Sequence, residues 1–411
     1  MVKIVKGENM AKQSQKSEQI TQSMTLVYDY DHTMRKRADF ESAFNEALGN
    51  VESIKYGTHM VYKYTHNNQD TYFLTGAITW LNKPHPLFKK RLQLKDWYRD
   101  FYDEYIHKEN TDVRIVGVYR YDRMHIFVEF NIEDYMGNRL NSSSAHVYSN
   151  DLYQALKNEF FRKKDRNGNT ITTIASKNFK KYIDGNIEGN VIFDFFTKFN
   201  NDFSFGEWIT AKTAIEEMKT NNWEQWRQTE WAGWFLEYLT SDFIEKENFQ
   251  NTMMYIGNKK SGGLPDFDLY FNNDGFYGDL KASDIDNSVV ILNDQENTLK
   301  ALQHNWKLWY VIYEHETKKD IDYNSEMAIE RMKLMGTYEE GSKISYKTRM
   351  KHSVNFKKME ILEVNEINRH LILQDFNQGH NSDGNKRNLK FKIDKKDIDN
   401  FIIYSYSKSD V

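Results

Sequence analysis

Residues 264–283, a stretch rich in aromatic residues and acids, constrain the fold of this chain more than any other segment. Residues 267–271 and 276–281 favour β-strands because aromatic and apolar side chains fit a pleated, half-buried surface. Residues 272–275 contain asparagines and a glycine, which form tight turns because they tolerate positive φ. The segment therefore predicts a hairpin that begins just after a proline.

Charged side chains of this hairpin are predicted to meet. Side chains alternate between the two faces of a strand, so Asp279 and Lys281 share one face while Leu280 points into the core. Asp266 and Asp268 likewise share a face of the first strand; Asp266 is favoured because it follows the proline, with Asp268 as a substitute. Two carboxylates can hold Mg²⁺, and a lysine beside them can orient or help deprotonate water. Two carboxylates that hold a metal ion and a lysine beside them are the minimum set of groups for metal-assisted phosphodiester hydrolysis.

The segments on either side extend the pattern. Upstream, apolar residues at three-to-four spacing predict an amphipathic helix over 223–244. Glu230 and Glu237 lie about two turns apart on it, and either could face the hairpin; Glu237, which sits among apolar residues, is preferred, and Glu230 reads better as a surface acid. Downstream, 293–302 predict a helix, and the apolar run 307–313 suits a strand buried on both faces.

This order of helix, strand, strand, helix and strand, with Pro-Asp and Asp-x-Lys on the two middle strands, resembles the PD-(D/E)xK nuclease superfamily. Within it the chain is most similar to type II restriction endonucleases. The resemblance covers residues 224–315, under a quarter of the chain. It implies that Asp266 and Asp279 ligate Mg²⁺ with the Leu280 carbonyl, that Lys281 positions water, and that Glu237 is the helix glutamate. Gln295 could match a polar residue of the following helix.

The resemblance implies an α/β (α+β) fold with a restriction-endonuclease-like mixed sheet flanked by helices. Strand and helix patterns before it predict an N-terminal α/β domain. The expected organisation is a polar arm over 1–23, an N-terminal domain for DNA recognition over 24–195, a catalytic core over 205–325 and a basic C-terminal region over 326–411.

Composition limits the class of protein. The chain has 411 residues and no cysteine, which excludes disulfides and thiolate metal sites. No stretch reaches the ~18 apolar residues of a membrane span, and the first residues lack an apolar signal core. We therefore expect a cytoplasmic protein without a membrane partner. The net charge of −4 does not exclude DNA, because phosphate binding depends on local basic surface.

Three basic clusters are candidates for DNA contact, since lysine serves phosphates while arginine, asparagine and glutamine also read base edges. Each could equally be an ordinary solvated surface. The candidates are Lys89, Lys90 and Arg91 in a predicted loop, Lys347, Arg349 and Lys351 in an acid-free stretch, and Lys386 and Arg387 after a polar loop.

Taken together, the sequence predicts a Mg²⁺-dependent, sequence-specific endonuclease of double-stranded DNA, a type II restriction enzyme that leaves 5′-phosphates. A homodimer is expected because cutting both strands needs two active sites. Two alternatives stay open. One is another nuclease of the superfamily that acts in phage defence, on branched DNA or on RNA. The other is a non-catalytic DNA-binding protein that keeps the fold.

Overall fold

The structure is a computed structural model. It describes residues 16–407 except 137–142, 159, 186–189, 204, 258–266, 342–343, 346–347 and 380–386. The chain divides into two compact units, the first made of 1–163 and 169–187 and the second of 164–168 and 188–411. Helices and strands alternate irregularly in both, and the prediction of an α+β fold is confirmed.

The first unit is built on a seven-stranded sheet with the strand order β11-β12-β9-β8-β5-β4-β3. Strands β5 and β8 are parallel. Two smaller sheets, β10-β7-β6 and β1-β2, complete the unit. Its elements are β1 (Ser17–Ile20), β2 (Leu26–Asp29), α1 (Arg37–Leu48), β3 (Glu52–Tyr56), β4 (His59–His66), β5 (Gln69–Ala77), β6 (Thr79–Trp80), β7 (Lys89–Gln93), α2 (Trp97–Tyr105), β8 (Thr111–Tyr121), β9 (Met124–Phe130), α3 (Ile132–Met136), β10 (Ser144–Tyr148), α4 (Ser149–Lys157), β11 (Phe160–Lys164), β12 (Thr170–Ala175) and α5 (Ser176–Asp184).

Aromatic side chains fill the space between this sheet and its helices. Phe44 of α1 packs on Phe73 with ring centroids 5.0 Å apart, and Phe127 stacks on Phe179 of α5 at 3.9 Å. Such rings bury large apolar areas, which is the main stabilising contribution to a core. Helix α1 ends at Leu48, just before Gly49, whose φ of 94° favours glycine.

The second unit contains another seven-stranded sheet, in the order β13-β19-β18-β16-β15-β14 with β22 also paired to β19, and a three-stranded sheet β17-β21-β20. Its elements are α6 (Val191–Asp202), β13 (Trp208–Thr210), α7 (Ala211–Thr220), α8 (Trp231–Lys246), β14 (Met253–Tyr255), β15 (Leu269–Phe271), β16 (Phe276–Asp284), β17 (Val289–Asp294), α9 (Gln295–Asn305), β18 (Lys307–Lys319), α10 (Glu326–Leu334), β19 (Lys351–Asn365), α11 (Arg369–Ile372), β20 (Gln374–Phe376), β21 (Lys390–Asp394) and β22 (Ile402–Ser407), with short 3₁₀ turns at Glu224–Arg227, Asp320–Tyr323 and Asp399–Phe401.

The predicted hairpin is present in this sheet as β15 and β16, joined by a turn in which Gly275 has a φ of 67°. Strand β18 is the predicted buried central strand; it pairs in parallel with β16 and antiparallel with β19. The C-terminal residues do not pack as a region of their own. Strands β19 and β22, which fall in 326–411, extend the same sheet because their apolar residues complete its core.

Candidate active site

The acids of the hairpin meet where β15 and β16 begin to separate. Leu269, the first residue of β15, pairs with Gly278 in antiparallel register, and continuing this register by one residue beyond the strand places Asp268 opposite Asp279. Directly opposed side chains lie on the same face of a sheet. On the other side, Asp279 pairs with Tyr310 of β18 in parallel register. The registers of β15 and β18 against β16 therefore determine which residues lie beside Asp279.

Asp268 is held by the backbone of the partner strand. The Leu280 N–H donates to Asp268 Oδ2 at 2.9 Å. Burial of the carboxyl group raises the pKa of Asp268 well above its usual range, and repulsion from Asp279 and Glu237 adds to the rise. A cation placed among these carboxylates would offset that repulsion.

Asp279 is buried, and Lys281 provides its counter-charge. The two form an ion pair between Nζ and Oδ2. Lys281 keeps 23% of its side chain exposed. Burial alone would lower the pKa of Lys281, but attraction by Asp279 and Asp268 outweighs it and the pKa is raised. The other carboxylate oxygen of Asp279 accepts from Asn293 Nδ2 at 3.2 Å.

Glu237 of α8 also faces this cluster. Its Oε2 accepts a hydrogen bond of 2.6 Å from the hydroxyl of Tyr255 on β14. Burial raises the pKa of Tyr255, and the negative charge of Glu237 raises it further. Glu230 does not face the cluster: it precedes α8, is 77% exposed and pairs with Lys351 at 3.1 Å. Of the two glutamates that the sequence places on this helix, Glu237 lies on α8 and faces the hairpin, whereas Glu230 lies before the helix begins.

Gly257 lies close to Tyr255 and Asp268 at the edge of the described part of the site. A Cβ built on it would lie 2.4 Å from the Tyr255 hydroxyl oxygen and 3.1 Å from Asp268 Oδ1. Any larger residue would have to displace one of these groups, so this position lets the backbone approach the site closely. Asp266, the acid that the sequence favours, lies in 258–266, outside the described residues.

The donors of the site suit a hard cation. Within the described ranges no group of three or more histidine, aspartate or glutamate side chains is placed to hold a metal ion. Two carboxylates, Asp268 and Asp279, do converge, and Mg²⁺ typically takes one or two carboxylates and keeps several waters. The Leu280 carbonyl directly follows Asp279 in the chain. The residues present therefore fit a magnesium ion held mostly by water.

The sequence does not predict that Asn293 and Tyr255 belong to this cluster. Asn293 lies at the predicted start of a helix, but its side chain donates a hydrogen bond to Asp279. Gln295, which the resemblance suggested as a polar residue of the site, donates a hydrogen bond to Asp375 at 2.7 Å instead. The strand that carries Tyr255 spans three residues, too short for a recognisable pattern. A polar residue at the end of an apolar strand is the one sequence signal that could point to Asn293.

The first predicted basic cluster lies on a strand rather than in a loop. Lys89 and Arg91 are half-buried on one face of β7. The prediction that Lys90 contacts DNA is wrong: its side chain is fully buried on the other face and pairs with Asp31 at 3.1 Å. Because side chains alternate along a strand, three consecutive cations cannot share one surface.

The other two clusters are described only in part. Lys351 starts β19 and pairs with Glu230, as noted above. Arg349 and Arg387 are exposed. Lys347 and Lys386 lie outside the described residues. No helix in the described part of the chain is long and apolar enough to cross a membrane.

Comparison with known families gives one match. Residues 69–183 match the family model MTaX1, described as methylase-associated X1. The match covers a little over a quarter of the chain, from the start of β5 into α5, and so does not include the acid and lysine cluster. It links the chain to restriction-modification systems in general. No curated protein and no solved structure matches the chain.

Proposed function

We propose that this protein is a Mg²⁺-dependent endonuclease of double-stranded DNA that acts in a restriction system. The observation that carries the proposal is the convergence of Asp268, Asp279, Lys281 and Glu237 at one end of the β15–β16 hairpin. Three acids held around one lysine, with Asp279 buried and Asp268 and Glu237 half-buried, destabilise the fold through repulsion and desolvation. Such clusters are retained where the charges serve binding or chemistry.

Asp268, Asp279 and the Leu280 carbonyl would hold Mg²⁺, which would activate water and stabilise negative charge on the phosphate. Lys281 stands at the same carboxylates, and 23% of its side chain is exposed. It can donate a hydrogen bond to the attacking water or to a phosphate oxygen, and so fix the line of attack. Glu237, oriented by Tyr255, can accept a hydrogen bond from the same water.

The methylase-associated X1 match supports the restriction part of the proposal, because a methylase and a nuclease act on the same DNA in such systems. Sequence specificity, 5′-phosphate products and a homodimer with two active sites belong to the proposal as well. The homodimer follows from the need to cut both strands with one site in each chain.

Cleavage by matched variants tests the chemistry. Purified protein is incubated with Mg²⁺ and a panel of plasmid and phage DNA, methylated and unmethylated. We expect cutting by the wild-type chain and a loss of at least about 10²–10³-fold for Asp279→Asn and Lys281→Ala, since each removes a positioned charge at the reacting phosphate.

Exposed residues of the same types provide the controls. Asp286→Asn and Lys300→Ala make the same chemical changes outside the cluster and should cut at the wild-type rate. Undiminished cutting by Asp279→Asn, or no metal-dependent cutting of any substrate in the panel, would overturn the proposal. Discrete bands indicate sequence specificity, whereas a smear indicates another kind of nuclease.

A further inference from the structure

The small sheet β10-β7-β6 of the first unit has two contrasting faces. Burial alternates along β7 and β10, and register places His146 beside Arg91 and Tyr148 beside Lys89. One face is buried and consists of Lys90, Leu92, Ala145 and Val147. The other, which we term the β7–β10 face, is partly exposed and consists of Lys89, Arg91, Gln93, Ser144, His146 and Tyr148.

Positive charge on the β7–β10 face is not compensated. Residues 81–95 contain four lysines, an arginine and a histidine but no acid. Asp31 is occupied by the buried Lys90, and Asp151 pairs with Lys163 at 2.6 Å, both partners being 1% exposed. Within the described residues, neither Lys89 nor Arg91 pairs with an acid. The face therefore carries net positive charge.

His146 lies at the centre of this face, and its pKa responds to the positive charges around it. Burial lowers the pKa of His146, and the positive charges of Lys89, His85, Arg91 and Lys163 lower it further, to about 4. At neutral pH the imidazole is uncharged, so it offers one hydrogen-bond donor and one acceptor. Gln93 offers both as well. The face thus combines two cations with neutral groups that can discriminate hydrogen-bonding partners.

We propose that the β7–β10 face binds duplex DNA, with Lys89 and Arg91 on phosphates and Gln93 and His146 toward the edges of bases. The proposal rests on the nuclease function proposed above and assigns the DNA contact to a surface of the first unit. Cations fix a protein on the phosphate backbone, while amides and other mixed donors read bases. Strands are known to present such side chains to a DNA groove.

DNA binding by the full chain tests this assignment. In an Asp279→Asn background, which prevents cutting, the affinity for a fluorescent duplex of about 30 base pairs is measured by anisotropy at several salt concentrations. Lys89→Gln combined with Arg91→Gln should weaken binding about tenfold or more. It should also reduce the slope of log affinity against log salt by about 1.8, since each phosphate contact contributes about 0.9.

The matched control is Arg35→Gln combined with Lys55→Gln, two exposed cations elsewhere in the first unit. It should leave both affinity and slope unchanged, and circular dichroism should show that both double variants fold. An unchanged slope in the Lys89 and Arg91 variant overturns the proposal. So does tighter binding of a matched RNA duplex, or the absence of any binding to DNA.

The two proposals fail in distinguishable ways. If the chain binds duplex through this face but the wild type never cuts, the nuclease proposal falls and the binding surface stands. If the wild type cuts DNA and the Lys89 and Arg91 variant binds and cuts as well as its control, the nuclease proposal stands and the surface falls.

Discussion

Both large sheets are built around one parallel pair of strands, β5–β8 in the first unit and β16–β18 in the second, but the two pairs carry different side chains. In the first, Gly76 lies beside Gly117, and their missing side chains let Ile78 and Leu92 pack against the sheet. In the second, β16 carries the charged residues Asp279 and Lys281. A parallel pair of strands thus carries closely packed glycines in one unit and a cluster of charged side chains in the other.

The largest effect on cleavage is expected when Asp268, which lies beside the charged residues of β16, is replaced by a neutral residue. Asp268→Asn should lower cleavage at least about 10²-fold because one of two carboxylates is lost. It should also raise the free energy of unfolding, by about 1 kcal/mol or more, because a buried charge beside Asp279 and Glu237 is removed. Urea unfolding without metal and plasmid cleavage measure the two effects.

Asp286→Asn is again the control, and should change neither quantity. If Asp268→Asn retained cleavage, the metal ligand would have to be sought among the residues before it, where Asp266 lies. If it lowered stability, the repulsion inferred from the raised pKa of Asp268 would be contradicted.

His315, at the far end of the parallel pair of the second unit, predicts a pH effect. It is fully buried, and burial followed by the charge of Lys351 lowers its pKa to about 4. The unfolded chain therefore binds a proton between pH 6.5 and about 4 that the folded chain does not, so stability falls as pH drops through this window. The loss should reach about 3 kcal/mol.

His315→Gln should flatten this part of the stability curve, as measured by urea unfolding from pH 7 to 4. His370→Gln, on an exposed histidine, provides the comparison and should keep the wild-type slope. An equal slope in all three proteins would show that His315 is not neutral in the folded state.

The β5–β8 pair, where Gly76 lies beside Gly117, should respond to changes in side-chain volume instead. A Cβ on Gly117 would lie 2.4 Å from Ile78 Cδ1 and 2.9 Å from Ile78 Cγ1. Gly117→Ala should therefore destabilise the protein by about 1–3 kcal/mol through overpacking. Gly233→Ala on α8 meets nothing within 4 Å and should be neutral or stabilising. Thermal unfolding measures both, and equal stabilities would contradict the packing argument.

The smallest effect is expected at the support of Glu237. Tyr255→Phe removes the 2.6 Å hydrogen bond to its carboxylate, and should lower the cleavage rate about tenfold with little change in stability. Tyr270→Phe is matched, because its hydroxyl makes no hydrogen bond within the described residues. A rate unchanged by Tyr255→Phe would remove Glu237 from the mechanism.

Local patterns predict much of the fold and part of the site. The hairpin, the helix before it and the buried strand after it follow from turn residues and periodicity. The structure has all three, but the helix begins at Trp231 rather than at 223, because Glu224–Arg227 form a separate 3₁₀ turn. Asp279 and Lys281 meet because alternation along one strand is a local property. The contribution of β19 and β22 to the same sheet could not be foreseen, because strand pairing across a long stretch of chain leaves no local signature.

The sequence by itself determined which residues of β16 share a face, since that depends only on the two-residue period of a strand. The tertiary structure decided their partners. Asp268 stands opposite Asp279 because of the hairpin register, and Asn293 and Tyr255 arrive from other strands. Lys90 is buried because Asp31, distant in sequence, neutralises it. Register and long-range pairing are set by packing of the whole core, which no short segment encodes.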